Sequence, residues 1–157
     1  MVRDAGFEDG GERAARLRAE SEDDLAVIST LAQDAVGKVV NVRYAPRRRR
    51  FSLLLYRFRW EDEARAKREK RPFERVASSL IVEDVLKAKV AGLDPKDGEA
   101  VFNVLSLTFE AGEDGAGLLL LTCSGDATIR LDVECLNVSL ADLTRPWETG
   151  GQPKHAD

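Results

Sequence analysis

Residues 39–60 read VVNVRYAPRRRRFSLLLYRFRW, and this stretch predicts a β-hairpin. Residues 39–44 have the period-two pattern of a strand. Residues 45–48 (APRR) have the composition of a turn, because proline presets a backbone angle that turns use. Residues 51–60 form the returning strand, which is apolar on both faces at its start and on one face at its end. A hairpin of this kind predicts a sheet of antiparallel neighbours.

Period-two patterns continue toward the C-terminus. Residues 76–90 keep one apolar parity except at Asp84, which predicts a bulge or a strand break there. A helix over residues 82–90 is the alternative interpretation. Residues 128–136 alternate cleanly, with Cys135 pointing inward and Glu134 outward. Further strands are predicted at residues 15–20, 101–109 and 118–123, and a short last helix at residues 137–143.

One amphipathic helix is predicted at residues 22–35. Ser21 is a good N-cap, and three acidic residues follow it in the first turn, where they favour the helix dipole. Apolar residues then recur at helical spacing, and Gly37 is the expected stop.

These elements predict an α+β fold with one N-terminal helix and about seven strands. The strands form a mostly antiparallel sheet or a small barrel, for which a barrel of the pleckstrin-homology type is one candidate. We expect a disordered segment at residues 1–13, a single domain at 14–147 and a tail at 148–157. Residues 61–72 carry nine charges and no large apolar side chain, so we expect a mobile loop or a solvated helical turn.

Composition narrows the class of protein. Apolar residues make up 43% of the 157-residue chain, and no stretch approaches the roughly 18 apolar residues of a membrane span. The polar N-terminus lacks the apolar region of a signal peptide. Cys123 and Cys135 have no metal-binding spacing, so we expect reduced thiols in a cytoplasmic protein.

Charge is distributed unevenly along the chain. Residues 35–75 carry 14 basic and 5 acidic side chains, whereas residues 76–157 carry 6 basic and 14 acidic ones. Arginine binds phosphate and carboxylate groups through paired hydrogen bonds, and aromatic rings stack on bases. The arginine-rich hairpin is therefore the predicted partner-binding or anion-binding surface. Its residues are Arg47, Arg48, Arg49, Arg50, Arg57, Arg59 and Trp60.

Three functions remain open for this chain. The first is a non-catalytic interaction module whose partner is another protein or a second copy of the chain; the basic segment could also pair with the protein's own acids. The second is a small enzyme that uses carboxylates and arginine, with Asp84 as a candidate buried acid. The third, nucleic-acid binding, is disfavoured by the sequence pI near 5.2.

No cofactor or metal is expected from the sequence. It contains no phosphate-binding loop, no CxxC and no HExxH motif. The one histidine, His155, lies near the chain end, and we expect it to be a tail residue. We therefore assign no catalytic residue from the sequence; whether the protein is an enzyme stays open at this point, and the sequence favours a protein that is not one.

Several short motifs together resemble a known family. They are Arg50-Phe51 leading into Arg57-Phe58-Arg59-Trp60-Glu61, the strand Ile129 to Cys135 (IRLDVEC), and Asp142-Leu143 with Trp147. In this order the motifs resemble an uncharacterised family of short, mainly alphaproteobacterial proteins that carries only a "domain of unknown function" label. The resemblance runs from about residue 17 to residue 155. It implies a bacterial, cytoplasmic protein and assigns no catalytic or binding residue.

Overall fold

The computed structural model describes residues 3–4, 15–144 and 146–149. They form one continuous, mostly antiparallel sheet with two helices. The helices are α1 (Glu22–Ala32) and α2 (Glu63–Glu69). The strands are β1 (Arg3–Asp4), β2 (Arg16–Ala19), β3 (Val36–Ala45), β4 (Arg50–Phe58), β5 (Phe73–Val82), β6 (Val85–Ala91), β7 (Val101–Ala111), β8 (Gly117–Cys123), β9 (Thr128–Val133), β10 (Val138–Asp142) and β11 (Trp147–Thr149).

The predicted hairpin is confirmed by the pairing of β3 with β4. Tyr44 lies opposite Phe51, and Ala45 lies opposite Arg50. The connection is a short 3-10 turn over Pro46–Arg48. Strand order across the sheet is β1-β2-β10-β5-β4-β3-β7-β8-β9-β6, with β11 added to β5. The hairpin therefore occupies the middle of the sheet.

Helix α1 begins at the residue that the sequence predicts, but it ends three residues before the predicted end. The Ser21 hydroxyl accepts a hydrogen bond from the Asp24 amide at 3.2 Å, which caps the first turn. The helix ends at Ala32, although we expected it to continue to residue 35. Asp34 turns the chain with a φ of 63°, and its amide donates to the Val104 carbonyl at 2.7 Å. A contact with a distant strand therefore fixes the helix end instead of Gly37.

Both halves of the sheet share one core. Val36–Lys38 of β3 pair with β7 and so connect the strands on the β4 side to those on the β8 side. Helix α1 packs on β7, β2 and β4. The most deeply buried residues of this core include Ile28, Leu55, Leu80, Ile129 and Leu131.

The predicted strand break at Asp84 is confirmed. Asp84 has a φ of 59° and separates β5 from β6, so the helical alternative for residues 82–90 is wrong. The neighbouring β9 ends at Val133, where the Glu134 amide donates to the Asp84 carbonyl at 2.9 Å. Cys135 therefore lies past the strand and is exposed, which corrects its predicted inward position.

Two segments differ from the sequence-based expectation. Residues 137–143 form strand β10 and not a helix, because Val138 to Asp142 pair with both β2 and β5. Strand β10 and the break at Asp84 each add one strand to the seven that we predicted. The structure therefore has nine strands of four or more residues, and two shorter strands besides. Residues 61–72 include the helical turn that we considered, but they also bury Asp62 and Ala66.

Both chain ends contribute a short strand. Arg3–Asp4, within the segment expected to be disordered, pair with β2 in parallel. Trp147–Thr149, at the start of the predicted tail, pair with β5. The predictions for residues 5–14 and for His155 lie outside the described residues. The pleckstrin-homology-like barrel and the domain limits stay predictions. No helix of the described chain is long and apolar enough to cross a membrane.

A substitution at Gly37 would test how closely β3 and β7 pack at the centre of the sheet. A Cβ atom at this position would lie 2.7 Å from Cζ of the buried Phe102 ring. We expect Gly37→Ala to lower the free energy of unfolding by about 1–3 kcal/mol, because overpacking displaces the ring. Urea unfolding followed by circular dichroism would measure this loss. Lys38→Ala, which removes a partly exposed ion pair with Glu99, is the control; an equal loss in both variants would contradict the steric explanation.

Candidate functional site

The hairpin tip lies against the start of β6. Arg49 follows the 3-10 turn in a left-handed conformation, with a φ of 50°. Its carbonyl accepts a hydrogen bond from the Val85 amide at 2.9 Å. The Tyr44 hydroxyl donates to the Val85 carbonyl at 3.2 Å. These two bonds position the basic tip beside β6.

Two of the four tip arginines pair with acidic residues of the protein. Arg49 Nη1 lies 3.1 Å from Glu134 Oε2. Arg50 Nε lies 2.5 Å from Glu83 Oε1. Both pairs are exposed, so water and salt screen them and they contribute little to stability. Their charge is nevertheless locally balanced.

Five other basic side chains are exposed around the seam between β3 and β6. Arg43 lies on β3, Arg47 and Arg48 on the tip, and Lys87 and Lys89 on β6. None of them makes an ion pair or a side-chain hydrogen bond with a residue in the described part of the chain. We call these five residues the cationic face.

Arg57 lies inside the protein, although we predicted it to be a partner-binding residue. Its side chain is fully buried. Nη1 and Nη2 donate to the two carboxylate oxygens of Glu61 at 2.9 and 2.7 Å. Nη2 also donates to Asp142 Oδ1 at 3.0 Å, and Nε donates to the Ser78 hydroxyl at 3.1 Å. We call these four residues the Arg57 cluster; the guanidinium group is already occupied by internal acceptors.

The electrostatics of the Arg57 cluster favour the charged form of the Arg57 guanidinium. Burial alone would lower the pKa of the Arg57 guanidinium, because desolvation disfavours the charged form. Hydrogen bonds and charge from Glu61, and then from Asp142, outweigh burial and raise this pKa. Asp142 also accepts hydrogen bonds from the Ser78 hydroxyl and the Ala15 amide, both at 2.7 Å. The cluster thus joins β4, β5, β10 and the turn after β4.

Arg59, also a predicted binding residue, belongs to a second buried cluster. It is 3% exposed and donates to Glu74. Asp62 lies nearby and receives two hydrogen bonds from Arg71, at 2.6 and 2.7 Å. Burial raises the pKa of Asp62, but the bonds from Arg71 and the charge of Arg59 outweigh it and lower this pKa. These contacts hold the turn and α2 against β5.

Trp60 serves the core edge and not a free surface. Its indole nitrogen donates to the Gln33 carbonyl at 3.0 Å. Its ring meets Phe58 edge to face, with ring centres 4.7 Å apart. Trp60 is partly buried and fixes the end of α1 beside the second cluster. Its predicted binding role stays a prediction.

An apolar groove of about 500 Å³ lies in the seam between β3 and β6. Within the described residues, strand β6 ends the sheet and pairs only with β9. On the other side, β3 pairs with β7 only over Val36–Lys38, so the rest of β3 has no strand neighbour there among residues 3–4, 15–144 and 146–149. The groove lining includes Val42, Tyr44, Phe51, Ala88, Val90 and Leu93.

The two cysteines are free and protonated at neutral pH. Burial raises the pKa of Cys123 to about 11. The Cys135 thiol donates to Asp84 Oδ2 at 3.2 Å, and this hydrogen bond is the main reason that the pKa of Cys135 is raised. A protonated thiol is a weak nucleophile. Across the described ranges, no three His, Cys, Asp or Glu side chains are placed to hold a metal ion.

Sequence reasoning missed both buried clusters because their partners are far apart in the chain. Asp142 lies 85 residues from Arg57, and Asp62 and Arg71 lie in the segment 61–72, which we expected to be a loop or a solvated turn. One signal was present: Arg57 interrupts a strand whose other residues are largely apolar on both faces. An arginine in such a strand needs internal acceptors.

The fold and these contacts define a class of protein: a mostly antiparallel α+β protein with internal ion clusters and a cationic face beside an apolar groove. The chain belongs to the family described as "Protein of unknown function (DUF2948)", whose model matches residues 15–155. The resemblance to an uncharacterised family is therefore confirmed. No curated protein and no solved structure matches the chain.

Replacement of Arg57 tests how much the Arg57 cluster contributes to the free energy of unfolding. We expect Arg57→Met to lower the free energy of unfolding by about 3–5 kcal/mol, because two buried carboxylates lose their counter-charge. Chemical unfolding monitored by tryptophan fluorescence would measure the loss. Arg50→Met removes the exposed pair with Glu83 and should leave the unfolding midpoint nearly unchanged. If the two variants were equally stable, the buried cluster would not be a major contributor.

The lowered pKa of Asp62 predicts how the free energy of unfolding depends on pH. A carboxyl whose pKa is lowered by folding stabilises the protein above its unfolded pKa, about 3.9, and loses that contribution as pH falls through the folded pKa. Asp62→Asn should therefore destabilise the protein near pH 6, and the difference from wild type should shrink below about pH 4. Urea titrations at several pH values would show this; a difference that stays constant with pH would contradict the role of ionised Asp62.

Proposed function

We propose that this protein is a non-catalytic binding module that uses its cationic face to bind an acidic segment of another protein. The observation that carries this proposal is the contrast among the basic residues around the hairpin. Arg49, Arg50, Arg57 and Arg59 are each paired with an acidic residue of the chain. The five residues of the cationic face are exposed and, among the described residues, have no such pair. Their charge is available to an external anion.

An acidic protein segment fits this face better than a nucleic acid does. Glu83 and Glu134 lie next to the tip and interrupt its positive potential. A nucleic acid presents closely and evenly spaced phosphates, which such acids would repel. The net charge of the chain, −4, also opposes general binding to polyanions. A peptide can instead place its few carboxylates only opposite basic residues.

The carboxylate enzyme considered from the sequence receives less support. Asp84, its candidate acid, accepts a hydrogen bond from Cys135 at the bend between β5 and β6. The apolar groove in the seam between β3 and β6 does not include Asp84 in its lining. Catalysis would need a polar group directed at a substrate, so the groove supports binding more than chemistry.

A reducing compartment, such as the bacterial cytoplasm, fits the thiols. Cys123 is buried and Cys135 is exposed, and both are free. Disulfides are rare in the cytosol and common in secreted domains of this size. The free cysteines support the cytoplasmic location that we expected from the sequence.

The tip arginines give the direct test of this function. The probe is a fluorescein-labelled glutamate decapeptide, and binding is followed by fluorescence anisotropy at low and high salt. We expect Arg47→Ser combined with Arg48→Ser to weaken binding about threefold to tenfold, since each exposed contact contributes up to about 1 kcal/mol. Added salt should weaken wild-type binding further.

The matched control changes the neighbouring, internally paired arginines. Arg49→Ser combined with Arg50→Ser removes the same formal charge from the tip but leaves Arg47 and Arg48 in place. A loss as large in the control as in the test variant would contradict the proposed surface. Failure of the wild-type protein to bind the peptide would contradict the function, and tighter binding of a duplex DNA would replace it with polyanion binding.

A further inference from the structure

Strand β6 has one edge that no strand of the described chain covers, and this open edge borders the apolar groove. The other edge of β6 is paired with β9. Near the hairpin tip, Val85 uses its amide and carbonyl to contact Arg49 and Tyr44. Beyond Val85, the groove separates β6 from β3. Backbone groups at such an edge are free to pair with an added strand.

The side chains of β6 alternate in a way that suits an added strand. Ala88 and Val90 line the groove, whereas Lys87 and Lys89 are exposed and lie at the intervening positions. Successive side chains of a strand point to opposite faces, and those of a paired strand follow the same alternation. A strand added to β6 would therefore place every second side chain in the groove and the others beside the two lysines.

The charge on β6 selects among possible occupants. A second copy that paired β6 with β6 would bring lysines together across the two strands, and like charges in that position are destabilising. Lysine on an edge strand is a known protection against such self-pairing. An incoming strand with Asp or Glu opposite Lys87 and Lys89 would instead gain two complementary pairs. The lysines thus disfavour a second copy and favour an acidic partner.

We propose that the open edge of β6 binds an extended segment of another protein in which apolar residues alternate with Asp or Glu. The segment adds as a strand, places its apolar side chains in the groove, and pairs its carboxylates with Lys87 and Lys89. This inference rests on the proposed binding function and specifies the partner. Backbone hydrogen bonds supply affinity, and the alternation supplies specificity.

Three labelled decapeptides test the pattern. The first alternates valine and glutamate, the second alternates valine and lysine, and the third has the composition of the first with its valines and glutamates in two blocks. In fluorescence anisotropy we expect the first peptide to bind most tightly, the third to bind more weakly through its glutamate block, and the second not to bind measurably. Hydrogen exchange of the complex should show new protection of amides in β6 and not in the distant β2. Equal binding of the blocked peptide would overturn strand addition.

Charge reversal on β6 gives the sharpest variant. Lys87→Glu combined with Lys89→Glu should weaken binding of the valine–glutamate peptide at least tenfold and create binding of the valine–lysine peptide. Lys67→Glu combined with Arg68→Glu makes the same charge change on the exposed side of α2 and should alter neither affinity more than about twofold. Val90→Asp, which places a charge in the groove, should also abolish binding. If none of the β6 variants changed binding, the assignment would be wrong.

The binding results for the glutamate decapeptide and the alternating peptide also distinguish this inference from the proposed function. If the glutamate decapeptide binds through Arg47 and Arg48 but the alternating peptide binds no better, the cationic face stands and strand addition falls. If neither peptide binds, both fall. Sedimentation of the wild-type protein over a range of concentrations covers the remaining occupant: a dimer that the β6 charge reversal disrupts would identify a second copy and overturn the inference.

Discussion

The buried guanidinium of Arg57 is the interaction on which the rest of the structure depends. Moving one charge out of water costs several kcal/mol, and only a complete set of acceptors offsets this cost. Glu61, Ser78 and Asp142 supply those acceptors from the turn after β4, from β5 and from β10. The cluster is satisfied only when all of these segments are in register. It therefore specifies one arrangement of strands in a way that apolar packing alone does not.

This constraint divides the arginines of the hairpin into two groups. Those near the base of the hairpin, Arg57 and Arg59, neutralise carboxylates that come from other parts of the fold. Those at the tip meet solvent, and only Arg49 and Arg50 find acids there. The strong charge asymmetry of the sequence is thus largely resolved inside the molecule. What remains for an external partner is a smaller surface on one side of the seam between β3 and β6.

Local patterns in the sequence correctly predicted the hairpin, the start of α1 and the break at Asp84, because each of these features depends on residues that are close together in the chain. The failures share the opposite cause. Asp34 ends α1 by bonding to Val104, and β10 is a strand because two distant strands accept it on both sides. The binding role of the hairpin arginines stays a prediction, but Arg57 is buried and not on a surface, because Glu61 and Asp142 supply acceptors for its guanidinium group. Periodicity in a single segment holds no information about such partners.

The two ends of the hairpin are therefore held by different kinds of force. At its base, charge-assisted bonds inside the protein fix β4 against β5 and β10, and opening them would expose uncompensated ions. At its tip, two single hydrogen bonds to Val85 link the hairpin to β6. Beyond them, the seam contains apolar side chains and an unpaired strand edge, with lysines on the solvent side. The proposed partner strand would enter that seam without disturbing the Arg57 cluster, because the contacts that fix the base of the hairpin lie outside the groove lining.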